Sequence, residues 1–261
     1  MKVLVDIGPR PSGSKAVVQA RQYIVDELQK AGWTTELQQF DDDTPRGRVT
    51  FCNIIARFGN DKTTQQAIVC SHYDTKIFDT IRFVGASDGG SSTGALIELA
   101  RTLAQDPGLA RRVELVFFDG EEAVVQFNET DGLYGSRYYA KGLRDSGRHQ
   151  QFKFGILWDM MGPKNLDITL SPDSPPDLMQ GILAASDALN LRQDFTLFDR
   201  QIYDDHVPLT SIAEVPSIDL IDFNYPPWHT AADTLDKLGP ESLRAVGAVT
   251  LYYLRTKFPN E

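Results

Sequence analysis

Val113-Glu114-Leu115-Val116-Phe117-Phe118-Asp119-Gly120-Glu121-Glu122 is the stretch from which the chain is best read. Its apolar run has the length and the aromatic, β-branched make-up of a buried strand. It stops at an Asp-Gly turn and delivers two glutamates side by side. Neighbouring glutamates cannot easily point at one atom, so one suits a metal while the other faces a substrate as general base. An acidic surface turn is the competing reading, because exposed Glu is the default.

Working outward, strand-like and helix-like segments alternate. Residues 14–32 carry apolar residues at helical spacing and end at Gly32. Strands are expected at 34–40 and 49–58, with Asp41-Asp42-Asp43 and Pro45 as a loop between them, and Asn60-Asp61 as the next turn. A short buried strand at 67–71 is followed by a Gly-rich loop at 85–94 and a helix at 93–104. After the 113–118 strand come a helix at 135–142, strands at 152–158 and 167–170, a helix at 175–189 with proline in its first turn, a strand at 215–221 and a closing helix at 241–255. This order predicts one α/β domain over residues 1–261, a mixed and mostly parallel sheet sandwiched by helices.

In such folds ligands bind beyond the carboxyl ends of the strands. Four strands lead there into possible metal ligands: His72-Tyr73-Asp74, Glu121-Glu122, Asp159, and Trp228-His229 through a loop. The Gly-rich loop adds Asp88, whose flanking glycines let the backbone approach an ion closely. Each residue has a plain alternative: a satisfied core histidine for His72, an Asp-Gly turn for Asp88, a helix cap for Asp159, a packed aromatic loop around His229. In Asp204-Asp205-His206-Val207-Pro208 the acids could cap a short helix or take part in binding. Together the histidines and carboxylates form an N/O set suited to zinc as Lewis acid, with Glu121 moving protons and Asp74 orienting His72.

Composition bounds the partners. The chain has 261 residues, 41% of them hydrophobic, and a net charge of −10. That argues against nucleic acid and an anionic membrane as partners and suits a peptide amine. No apolar run reaches the ~20 residues of a membrane span. Met1-Lys2-Val3-Leu4-Val5-Asp6 is too short for a signal peptide core, so no leader is read here, and earlier removal of one stays open. Cys52 and Cys70 sit in apolar runs and read as buried thiols.

At this point the motifs match a known family. Gly8-Pro9-Arg10-Pro11-Ser12-Gly13-Ser14, Ser71-His72-Tyr73-Asp74-Thr75-Lys76, Phe83-Val84-Gly85-Ala86-Ser87-Asp88, Phe117-Phe118-Asp119-Gly120-Glu121-Glu122-Ala123, Leu133-Tyr134-Gly135-Ser136-Arg137, Asp204-Asp205-His206-Val207-Pro208 and Trp228-His229-Thr230 span nearly the whole chain. The chain resembles the zinc-dependent aminopeptidase superfamily and, within it, the animal-type glutaminyl-peptide cyclotransferases. The resemblance implies one catalytic zinc on Asp88, Glu122 and His229, with Glu121 as proton shuttle. It further implies a hydrogen-bond network of Asp159 and Asp204 near that base, and a substrate pocket walled by Trp228 and Phe127. His72 and Asp159 match the peptidase positions for a second metal, with Asp74 as the orienting acid.

Phe127 stands where the cyclases tend to have Trp, and Ser71 and Thr93 stand where the animal enzymes have a cysteine pair. The run Gly89-Gly90-Ser91-Ser92-Thr93-Gly94 looks more like the peptidase loop. These departures point to a bacterial relative. The function expected is therefore cyclisation of N-terminal glutamine to pyroglutamate on peptide substrates. A di-zinc aminopeptidase is the alternative, and a silent binding module a third reading. A monomer, periplasmic or secreted, is expected from the resemblance.

Overall fold

The run Val113–Phe118 forms a strand buried at every residue, the third of eight across one sheet. The computed structural model describes residues 1–59 and 66–259, so the Asn60-Asp61 turn lies outside the described residues. In chain order the strands are β1 (Thr34–Thr44), β2 (Gly47–Arg57), β3 (Gln66–His72), β4 (Val113–Phe118), β5 (Phe152–Asp159), β6 (Ile168–Leu170), β7 (Phe195–Leu197) and β8 (Ser217–Ile221). They pair in the order β1-β2-β4-β3-β5-β8-β6-β7. The central pairs β4–β3, β3–β5 and β5–β8 are parallel, as is β6–β7; the β1–β2, β2–β4 and β6–β8 pairs are antiparallel. The sheet is mixed and mostly parallel, as its sequence order predicts.

Among the described residues eight α-helices cover it: α1 (Lys2–Ile7), α2 (Lys15–Lys30), α3 (Gly90–Leu103), α4 (Pro107–Ala110), α5 (Tyr134–Asp145), α6 (Pro176–Ala188), α7 (His206–Ser211) and α8 (Pro240–Lys257). Strand side chains alternate between faces. Ala67, Val69, Leu115, Phe117, Ile156 and Trp158 pack under α2, α3, α6 and α8. Ile68, Cys70, Val116, Phe118 and Leu157 pack under α5 and α7. Both faces are covered, which is why these strands read as continuous apolar runs. Cys52 and Cys70 are free and buried.

Two expectations change. The acidic run at 41–43 continues β1 rather than forming a loop. It lies on an edge strand whose polar face meets solvent, and Thr50 donates to Asp41 (2.6 Å) and Arg48 to Asp43 (3.4 Å) from β2. Helix α3 begins at Gly90, three residues before its expected start, because Gly89 takes a left-handed φ of 69° and turns the chain directly after Asp88. Helices α1 and α4 and strand β7 are too short to leave a periodic signal.

One buried carboxylate beyond β8 carries a pH signature. Burial pushes Asp222 up to about 7, with only Asp167 and Asn224 amides opposing it. An unfolded Asp titrates near 4, so between these values the native state holds the proton that the unfolded chain has lost. Stability contributed here is complete below about pH 4 and is lost as pH rises to about 7. Asp222→Asn is expected to remove that part of the fall, read as a flatter urea-unfolding free energy from pH 4 to 7 than in the wild type.

Candidate metal centre and substrate pocket

The carboxyl ends of β3, β4, β5 and β8 open on one edge, and the side chains singled out by sequence meet there. His72 closes β3 and Asp159 closes β5. Asp88 precedes α3, and Glu121-Glu122 follow the turn after β4. His229 arrives on the loop after β8 with a left-handed φ of 55°, a strained conformation for a non-glycine residue. His229 Nε2 lies 3.1 Å from Glu122 Oε1 and 3.4 Å from Asp88 Oδ2. His72 Nε2 lies 3.2 Å from both Asp88 Oδ1 and Asp159 Oδ1. Two sets of three ligand atoms result, Asp88–Glu122–His229 and His72–Asp88–Asp159, with Asp88 common to both.

The backbone holds Asp88 in place. A side chain at Gly89 would put its Cβ 2.8 Å from Asp74 O and from His72 Cε1, so only glycine admits this approach. Below it, the fully buried Arg10 donates to the carbonyls of Tyr73 (2.7 Å), Val84 (2.6 Å) and Gly85 (3.1 Å). Asp74 stands 3.4 Å from His72 Nδ1, in the place expected of an orienting acid, and its oxygens also accept the amides of Glu121 (3.2 Å) and Glu122 (3.3 Å).

The donor set fits a divalent cation. Burial disfavours charge on both imidazoles, yet the facing carboxylates overcome it: they lift His229 to about 9 and His72 well above the ordinary value. Asp88 is held well below the ordinary carboxylate range by the same two rings, against the cost of burial. Its Oδ2 is buried and accepts no hydrogen bond. A centre that draws protons onto two histidines and leaves a carboxylate oxygen unused has room and charge for a metal.

Similarity to known proteins follows the same residues. The sequence matches the model of peptidase family M28 over residues 53–254. The chain belongs to peptidase family M28. A glutaminyl-peptide cyclotransferase of Boiga irregularis is 30% identical across 95% of this chain and 76% of that protein. The crystal structure of an Acidobacteriales bacterium glutaminyl cyclase, 31% identical, superposes with a TM-score of 0.88 over 98% of this chain and 92% of its own. A leucine aminopeptidase precursor from Bacteroides thetaiotaomicron, 26% identical, superposes with a TM-score of 0.87 over 100% and 94%. The M28 chain described here thus lies on the glutaminyl-cyclase branch, while its backbone fits the peptidase neighbour equally well. Ser71 donates to Ser92 Oγ (2.8 Å) and Thr93 to His72 O (2.7 Å).

Beside the ligand sets, a cavity of about 360 Å³ is lined by Glu121, Asp159, Asp204, Phe127, Trp228 and other residues. Trp228 stacks on the His229 ring at 4.3 Å and tilts against Phe223 at 5.2 Å, so it both walls the cavity and backs a candidate ligand. Burial and then the charge of Asp204 push Glu121 well above the usual carboxylate value. Burial and Asp159 do the same to Asp204. Asp159 Oδ1 accepts from Met160 N (2.7 Å) and Asp204 Oδ1 from Asp205 N (2.5 Å), while Asp204 acts on Glu121, and Asp159 on Asp204, through charge.

The capping reading of Asp204-Asp205 is not realised, since Asp205 starts α7 without a side-chain cap bond. Its buried oxygens and those of Asp219 carry no hydrogen bond, and burial raises both groups, Asp205 to about 7. Asp219 had one sequence signal, a carboxylate inside the apolar run Ser217–Ile221. Tyr203, Ile202 and Phe223 also line the cavity; the first two directly precede the Asp204-Asp205 cluster, and Phe223 carries no such mark.

Proposed function

We propose that this protein converts the N-terminal glutamine of peptides to pyroglutamate with release of ammonia, using one zinc ion held by Asp88, Glu122 and His229. The observation that carries the reading is the small aromatic-walled cavity that places Glu121 beside this ligand set in a member of the glutaminyl-cyclase branch. Zinc bound there supplies a Lewis acid for the γ-carboxamide carbonyl. The chain's own residues do the rest. Trp228 and Phe127 fold the glutamine so that its α-amine lies against its own side-chain carbonyl, an intramolecular attack that needs orientation more than force. Glu121 accepts the amine proton and returns it to the departing ammonia. Its raised pKa brings base and amine closer in proton affinity, which favours both transfers. The negative charge around the cavity favours an entering amino terminus. We extend the proposal to a monomer that works in the periplasm or outside the cell.

One observation supports a second reading, a di-zinc aminopeptidase. His72, Asp88 and Asp159 could hold a second ion, and Glu121 would then activate water instead of an amine. Against it, Asp159 Oδ1 already accepts from Met160 N (2.7 Å). Zinc-loaded protein is expected to release ammonia from Gln-peptides and to leave Leu- and Ala-anilides intact. Anilide cleavage without ammonia release would replace the first reading by the second.

A further inference from the structure

The segment after Glu122 leaves the pair and returns to it. Leu133 N donates to Glu121 O (2.8 Å) and Tyr134 N to Gly120 O (2.7 Å), which closes the loop at its base. Inside it one carboxylate organises the backbone. Asp131, 1% exposed, accepts Val124 N (2.7 Å) and the Tyr134 hydroxyl (2.9 Å) on Oδ1, and Val125 N and Gln126 N (both 2.9 Å) on Oδ2. Three successive amides aimed at one anion form a concave nest. Burial opposes charge on Asp131, but these donors hold it below the usual carboxylate value. Asn128 fastens the other arm: its Oδ1 accepts Thr130 N (2.9 Å) and Asp131 N (3.1 Å).

This loop presents Phe127 at the rim of the cavity. The ring meets Tyr203 edge-on at 5.9 Å. Its floor is Gly132, with φ +116°, where a Cβ would stand 2.8 Å from the ring. The seat of Phe127 is therefore backbone, and the direction of the ring follows the loop conformation that the Asp131 bonds select. Asp131 itself belongs to neither ligand set and does not line the cavity.

We propose that Asp131 is a positioning residue for substrate: by gathering the amides of 124–126 it aims Phe127 at the peptide in the cavity. The substrate part rests on the peptide-binding reading above; the loop part does not. Asp131→Asn keeps the size but turns an NH2 toward N–H donors, so one or two of the three amide bonds are lost. With a Gln-peptide, Asp131→Asn is expected to raise KM about tenfold and change kcat less than about threefold, the pattern of lost binding rather than lost chemistry. Phe127→Ala should give a similar rise, and the double variant should be no worse than Phe127→Ala alone, because both act through one ring. Tyr134→Phe, which keeps all three amide bonds, should raise KM less than about threefold.

The same ratios are read as Kd by calorimetry on a Glu121→Gln background, where no turnover is needed. An inactive wild type that still shows them overturns cyclisation and keeps the positioning role. Amide hydrogen exchange at 124–126 should quicken in Asp131→Asn while bound zinc stays constant. A lower melting temperature with unchanged KM and Kd, or fully additive losses, would overturn the proposal. If Asp131→Asn does not fold, Asn128→Ala loosens the other arm and is read by the same criteria.

Discussion

Replacing Glu121 with glutamine is expected to lower kcat on Gln-peptides by about 10²–10⁴-fold, the usual weight of a general acid–base group. Glutamine keeps the shape and cannot take the amine proton. Metal content should not change, because Glu121 lies outside both three-residue ligand sets. KM should move little, since the substrate still meets Phe127 and Trp228 on the cavity wall. Ammonia release and zinc analysis on the same preparation check this. A variant with near wild-type kcat would remove Glu121 from the chemistry, and lost zinc would recast it as a ligand. The raised pKa of Glu121 is a consequence of burial first and of Asp204 second. Asp204→Asn should therefore shift the acidic limb of the kcat/KM profile to lower pH, the sign expected when a like charge is taken away.

Chelation is expected to abolish activity and to lower the melting temperature by about 5–10 °C relative to zinc-saturated protein. The size follows from about 2.7 kcal/mol at a hundredfold excess over Kd, and from about 2–4 °C per kcal/mol in a domain of this length. The physical cause is the crowd of carboxylates around Asp88, which a cation neutralises and which otherwise must be met by protons on His72 and His229. Asp88→Ala should lose all tight zinc, because Asp88 serves both sets. His72→Ala removes a ligand from one set only. One equivalent of zinc retained there, with ammonia release intact, fits cyclisation. A drop from two equivalents to one with loss of activity fits the peptidase reading. Metal analysis by mass spectrometry on dialysed protein separates the cases.

Much of this site was legible as residue types in places. Continuous apolar runs ending in His72, Asp159 and the Asp119-Gly120 turn announced buried parallel strands, because a strand covered on both faces has no reason to alternate. A carboxylate at the end of such a run costs too much to be idle. His229 was placed by the same convergence, through a loop after the last strand that has no periodic signal of its own, and the motif matches agreed. Other features left no such trace. The acidic stretch 41–43 reads as a loop by composition, yet an edge strand tolerates charge on its wet face. Asp74 reads as a partner of His72 from its spacing, and no local signal shows that the turn after β4 also brings the amides of Glu121 and Glu122 to its oxygens.

By itself, then, the sequence determined the layered α/β class, the covered parallel core and which side chains are candidate metal ligands, because these depend on local pattern and on chemistry confined to single residues. The tertiary structure alone decided that Asp88 stands between two histidines and that Asp159 is already engaged by His72 and a backbone amide. It also decided that Asp131 holds the loop carrying Phe127. Those outcomes depend on strand order. β4, β3, β5 and β8 lie side by side although their residues are far apart in the chain, and distances of about 3 Å between them are a property of the sheet and not of any segment.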